Sequence, residues 1–260
     1  MNNSTLRLDG KKVLITGVSR TLGIGATLAK RFAEAGAAVA VHGYSTYDLT
    51  VGEHNSATQN GTEILVKKYQ DMGLNVTLVT PSDLEKHGIA AKVVEEAAEK
   101  LNGLDGLILN HCYGTTMEIG QWTEKDIDSH LGVNVRAQMM MIQSFANLID
   151  TTRDNVITTF SSGQYRHIET NLMAYSVSKD AIICLTRGAA QLLGEKNVRV
   201  NCIDPGANNT GWYAGDTSRW CTPNDAADLV LFLHSNYAKC VTGQLIASDK
   251  GLGLNKDFVL

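Results

Sequence analysis

The run Lys11-Lys12-Val13-Leu14-Ile15-Thr16 ends in a glycine-bearing turn, Gly17-Val18-Ser19-Arg20-Thr21-Leu22-Gly23-Ile24-Gly25, which opens directly into the helical pattern ATLAKRFAEAGA. A short apolar strand passing through a tight turn into a helix leaves few folds open. The helix must pack on the strand it leaves, with Gly36 as its stop, and the next run, Ala38-Val39-Ala40-Val41-His42, then lies parallel to the first. Glycines at such a turn let the backbone come close to a pyrophosphate, and the N–H groups at the helix start favour its charge. Gly17, Ser19, Arg20, Gly23, Ile24 and Gly25 are therefore candidate cofactor contacts. His42, at the end of the second strand, joins them at the adenosine side.

The alternation continues without a break. TEILVKKYQDMG reads as a helix stopped by Gly73, 74–80 as a strand, EKHGIAAKVVEEAAEKL as a helix and 103–110 as a strand. After Thr123 comes a long helix, with an expected buried stripe through Ile127, Leu131, Val135, Met139 and Ile142 and with Met139-Met140-Met141 as core filling. Strands at 155–160, 197–204 and 241–248 then alternate with helices from about Leu172 and over 224–235. Alternating elements of this kind predict an α/β fold: a doubly wound parallel sheet of about seven strands with helices on both faces. No repeat or linker divides the chain, so residues 1–260 are expected to form one domain. Residues 43–59 lack periodicity and read as a loop beside the adenosine end. Asp83 and Leu84 come after the third strand, where Asp83 serves as an adenine contact, as the N-cap of the next helix, or as both.

Tyr175 and Lys179 stand four apart on the helix that begins near Leu172, so they share one face. A neighbouring ammonium favours the phenolate, which suits Tyr175 to give and take a proton at a carbonyl or alcohol oxygen. Ser162 lies just past the apolar run Asn155–Phe160, at a strand end that can open into a crevice. Asn134 sits beside the apolar stripe of the long helix, where a carboxamide is costly unless its hydrogen bonds are met. It either braces the fold or serves the site. The net charge of −4, with no basic run, argues against nucleic acid as a partner. Nothing approaches a membrane span, and the start MNNSTLRLDGKK lacks the apolar core of a signal peptide, so a cytoplasmic protein is expected. Five scattered cysteines read as reduced thiols, and no histidine or cysteine spacing suggests a metal site.

Taken together, these residues resemble the short-chain dehydrogenase/reductase family, in its 3-oxoacyl-(acyl carrier protein) reductase-like branch, over nearly the whole chain. The resemblance rests on the glycine turn, Asp83-Leu84, Asn110, Asn134, Ser162, Tyr175, Lys179, Pro205-Gly206 with Thr210, and Val241-Thr242-Gly243-Gln244, all in family order. It implies a Rossmann-type fold and an NAD(P)(H)-dependent exchange of a ketone or aldehyde with an alcohol. In that scheme Tyr175 is the general acid/base, Ser162 holds the substrate oxygen, Lys179 lowers the Tyr175 pKa and binds the nicotinamide ribose, and Asn134 supports a water relay. Asn110, Pro205, Gly206 and Thr210 are implied cofactor contacts. Five residues separate Gly17 from Gly23, a spacing that resembles enoyl-(acyl carrier protein) reductases. Those enzymes space Tyr and Lys seven apart, so the four-residue spacing favours carbonyl chemistry. Asn110-His111-Cys112-Tyr113 replaces the family's Asn-Asn-Ala-Gly, which leaves a sensor or scaffold with little turnover as the alternative.

With no carboxylate from the second strand's end until Asp48, and with Arg20 in the turn, NADP(H) is favoured over NAD(H). The aromatic-bearing segment 207–222, with Trp212, Tyr213 and Trp220, is expected to be a short substrate lid over a pocket for a small molecule. The resemblance also implies a homotetramer, to which the ending GLGLNKDFVL adds weak support.

Overall fold

In a computed structural model, which describes residues 6–52, 56–211 and 217–254, seven strands form one sheet. They are β1 (Lys12–Thr16), β2 (Ala38–His42), β3 (Val76–Leu78), β4 (Gly106–Leu109), β5 (Asn155–Phe160), β6 (Val198–Asp204) and β7 (Leu245–Ala247). Their order is β3-β2-β1-β4-β5-β6-β7, and every pairing is parallel. This is the Rossmann-type doubly wound sheet expected from the alternation. The winding reverses between β1 and β4, so the carboxyl ends of those strands diverge into a crevice, the place where such sheets bind ligands.

Successive strand residues point to opposite faces. Val13 and Ile15 of β1 accordingly join one apolar cluster and Leu14 the other. The first cluster is covered by α1 (Ile24–Glu34), α3 (Gly61–Asp71) and α8 (Pro223–His234). The second is covered by α4 (Ile89–Leu101), α6 (Ala137–Leu148) and α7 (Met173–Leu193). All five cysteines are free thiols. No helix among the described residues is long and apolar enough to cross a membrane.

Three expectations are corrected. The segment read as a loop contains a six-residue helix, α2 (Ser45–Thr50), which has no apolar stripe and buries a charged residue, Asp48. Asp83 does not cap α4: that helix starts at Ile89 behind Gly88, whose φ is +79°, and the Asp83 carboxylate instead accepts from the Glu85 N–H at 2.9 Å. The stripe on the long helix also fails except at Ile142. α5 (Glu124–Leu131) passes through a π turn, Gly132–Arg136, before α6, and the extra residue in that turn rotates the face of α6 by about 100°. Met139 and Met140, after the turn, are therefore exposed; Leu131, before it, is also exposed, Ile127 and Val135 are half-buried, and the buried face carries His130, Asn134, Gln138, Met141 and Ile142.

Candidate active site

A cavity of about 590 Å³ opens at the carboxyl ends of the central strands, a size suited to small-molecule ligands. Gly17, Ser19, Arg20, Gly23, Ile24, His42, Asp83, Leu84, Asn110, Ser162, Tyr175, Lys179, Pro205, Gly206 and Thr210 all line it. Gly25 and Asn134 lie behind its wall, packed on Gly17 and on Tyr113. Gly17 has φ of +73°, and a Cβ there would meet Asn110 Nδ2 at 2.7 Å and His111 N at 2.8 Å. A Cβ on Gly25 would run into the Gly17 carbonyl oxygen. The turn is thus closed by glycine packing on glycine, and Asn110 braces it by donating to the Thr16 and Gly17 carbonyls at 3.2 and 3.1 Å. Gly23, the N-cap of α1, has no side chain to cap the helix. The first N–H groups of α1 are left to face the cavity, which fits a pyrophosphate.

At the other end of the cavity, Ser162 lies two residues past the end of β5 and its hydroxyl hydrogen-bonds the Tyr175 phenol. Lys179 is 3% exposed; its Nζ donates to the Phe160 carbonyl at 3.0 Å and lies 5.5 Å from the centre of the Tyr175 ring. The sequence places a cation beside Tyr175 to ease its ionisation, but the balance in the folded chain runs the other way. Burial pushes the Tyr175 phenol well up, with Cys112 next in effect, and the Ser162 hydrogen bond opposes them. The phenol is therefore held protonated.

Asn134, fully buried on the π turn, spends both polar atoms on the wall of the site. Its Oδ1 accepts from Tyr113 N at 2.7 Å, and its Nδ2 donates to Tyr113 O at 2.8 Å and to Ser178 Oγ at 2.9 Å. These bonds brace the wall of the site at Tyr113 and the helix at Ser178. On the outer side, Arg166 bridges Asp204 and Asp249, tying the segment after Ser162 to the end of β6 and to the residues after β7. The Pro205-Gly206 wall is fixed by that tie.

Two residues of α2 reach the site without having been foreseen. The Tyr47 hydroxyl donates to Gly114 O at 3.0 Å and accepts from Gly114 N at 2.9 Å, and its ring lies 5.2 Å from that of Tyr113. Asp48 accepts from the Ser19 hydroxyl and sits 3.2 Å from Arg20 Nε, while Arg20 Nη1 donates to the Thr210 carbonyl at 3.0 Å. Arg20, expected to wait for a 2′-phosphate, is already ion-paired. The sequence signal was faint: a Tyr-Asp pair in a stretch with no period.

A family model described as enoyl-(acyl carrier protein) reductase matches residues 17–253. The chain belongs to the short-chain dehydrogenase/reductase family. Members of this family are NAD(P)-dependent oxidoreductases. The chain is 30% identical over 95% of its length to a cyclohexanol dehydrogenase of a Rhodococcus species, covering 97% of that protein. It is 28% identical to a 3-oxoacyl-(acyl carrier protein) reductase of Thermotoga maritima, covering 95% of this chain and 99% of that one. A short-chain dehydrogenase of Burkholderia cenocepacia solved with NADP superposes with a TM-score of 0.81 at 28% identity, over 94% of this chain and 98% of that one. The family, fold and oxidoreductase class expected from the sequence therefore hold.

Proposed function

We propose that this short-chain dehydrogenase/reductase interconverts a small ketone or aldehyde and the corresponding alcohol. The observation that supports this is one shared cavity carrying an uncapped glycine turn at one end and the Ser162, Tyr175 and Lys179 set at the other. The bound nicotinamide dinucleotide supplies or accepts the hydride. Gly17, Gly23 and Ile24, braced by Asn110, form the turn that would hold its phosphates; His42, Asp83 and Leu84 would flank its adenosine; Pro205, Gly206 and Thr210 would wall its other end. Tyr175, kept protonated by burial, gives a proton to the substrate oxygen in reduction and takes it back in oxidation, while Ser162 orients that oxygen. Lys179 holds the ribose side and keeps a positive charge near the phenol. Asn134 acts by positioning Tyr113 and, through Ser178, the helix that carries Tyr175. Arg20 supports NADP(H), in keeping with the NADP-bound relative, while its ion pair with Asp48 limits that preference and leaves NAD(H) usable.

The family description points to enoyl reduction, but the spacing of Tyr175 and Lys179 favours carbonyl chemistry. A panel of small carbonyls, alcohols and an enoyl thioester, monitored by the absorbance of NADPH and NADH, tests this. Turnover of a carbonyl supports it, turnover of the enoyl substrate alone overturns it, and dinucleotide binding without any turnover favours a sensor, a reading helped only by the altered Asn110-His111-Cys112-Tyr113 segment, whose Tyr113 lines the cavity beside Tyr47.

Thr210 and Trp220 line the cavity from the segment 207–222, whose stem is closed by hydrogen bonds from Asn209 N to Cys221 O and from Cys221 N to Ala207 O. Trp212 and Tyr213 lie outside the described residues. We assign this segment as the lid, and expect nicking within 207–222 by a protease to slow when cofactor and substrate are both present. Equal rates with and without them would remove the assignment. The exposed Leu131, Met139 and Met140 of α5 and α6 and Val177 of α7 suit burial between copies of the chain in a cytoplasmic homotetramer. Light scattering at micromolar concentration should then give about four times the 28.1 kDa chain mass, and a monomer mass would contradict it.

A further inference from the structure

We infer that Asp48 is a specificity-determining residue of this chain, setting NADP(H) affinity through its ion pair with Arg20. The inference rests on the cofactor reading above. β2 ends at His42 with no acidic residue, so a carboxylate reaches the glycine turn only because the chain folds back through α2. The fold-back is pinned at several points. Ser45 Oγ accepts from Gly61 N at 3.0 Å, and Tyr47 is tied to Gly114. A Cβ on Gly43 would collide with the Val18 carbonyl and one on Gly61 with the Ser19 carbonyl, so the segment packs directly on the turn. Asp48 is therefore held in place: it is 5% exposed, 3.2 Å from Arg20 Nε, and hydrogen-bonded by Ser19.

Charge decides the consequence. A 2′-phosphate that reaches Arg20 must share it with a carboxylate, and two anions on one cation in a partly buried pocket repel strongly. A 2′-hydroxyl meets no such repulsion and can donate to the same carboxylate. Burial pushes the Asp48 carboxyl up, against the pull of Ser19 and Arg20, which is the cost of keeping this acid where it is. The position thus works as a selector even though no acid stands at the end of β2.

The test is the Kd of NADPH and of NADH, measured by calorimetry for wild type, Asp48→Asn, Asp48→Ser, Arg20→Ala and the Arg20→Ala/Asp48→Asn double variant. Asp48→Asn keeps the shape and the Ser19 contact but frees the guanidinium, so NADPH should tighten about tenfold or more while NADH stays level or weakens. Asp48→Ser should move the ratio the same way, and the gain should vanish in the double variant. An unchanged NADPH/NADH ratio in the Asp48 variants, equal weakening of both dinucleotides, or a gain that survives the loss of Arg20 would overturn the inference while leaving the cofactor reading intact. Binding of neither dinucleotide by wild type would overturn both.

Discussion

Tyr175→Phe is expected to lower turnover by about 10²-fold or more while leaving dinucleotide affinity little changed. The ring that packs beside Lys179 is preserved, and only the hydroxyl that meets Ser162 is lost. General acid/base catalysis contributes about 10² to 10⁴ to a rate, so the loss belongs in kcat and not in binding. The direction of the pKa shift sharpens the expectation. A phenol held protonated by burial is ready to donate in the reductive direction, and ionisation must wait for charges arriving with the ligands. Near-normal turnover in this variant, measured under saturating substrate, would remove Tyr175 from the chemistry.

Acid sensitivity is the second large effect expected. His42 is pushed down to about 4 by burial, His111 to about 3 by burial with His42 and Lys179 nearby, and His234 to about 3 by burial with Arg199 nearby. All three are neutral in the fold but take up a proton near pH 6.5 once unfolded. The unfolded state therefore binds more protons below that value, and stability present above pH 6.5 is lost as pH falls toward the folded pKa values. At pH 5 each histidine costs about 2 kcal/mol, so the three together cost about 6 kcal/mol, a large part of a typical 5–15 kcal/mol. The buried carboxyls of Asp48 and Asp204, both pushed up by burial, favour the fold on protonation and offset part of the loss. Urea unfolding at pH 7.5 and pH 5 should show a marked drop in midpoint. His234→Gln, which cannot gain the proton, should show a shallower pH dependence, and equal stability of wild type at the two pH values would contradict the account.

The features legible in the sequence were carried by period and by steric need. β1, the glycine turn and α1 announce themselves because an apolar run, residues without Cβ and a helical stripe come one after another, and the turn's glycines prove to be packed where no side chain fits. Ser162, Tyr175 and Lys179 were legible from a strand end and a four-residue helical step read together with the glycine turn and the family resemblance, and the fold brings all three to one cavity. The misses share a different cause. α2 is short and holds its buried Asp48 by charge pairing, for which hydrophobic period has no signal. The π turn changes the phase of a helix without leaving a mark in the apolar pattern, which moved Met139 and Met140 outward. The Tyr175 shift comes first from burial, with Cys112 and Tyr47 adding to it from other elements, and so could not be summed from its helix neighbours.

The central claim is hydride exchange at a carbonyl carbon in the cavity that Tyr175 and Lys179 close. The most direct measurement uses reduced dinucleotide deuterated at the nicotinamide C4 position, a carbonyl that the wild-type protein turns over, and mass spectrometry of the product. The account predicts one deuterium on the carbinol carbon, formed by wild type and nearly abolished in Tyr175→Phe. Deuterium found only on the carbon β to a retained carbonyl, where enoyl reduction delivers its hydride, or an undiminished yield from Tyr175→Phe, would contradict it.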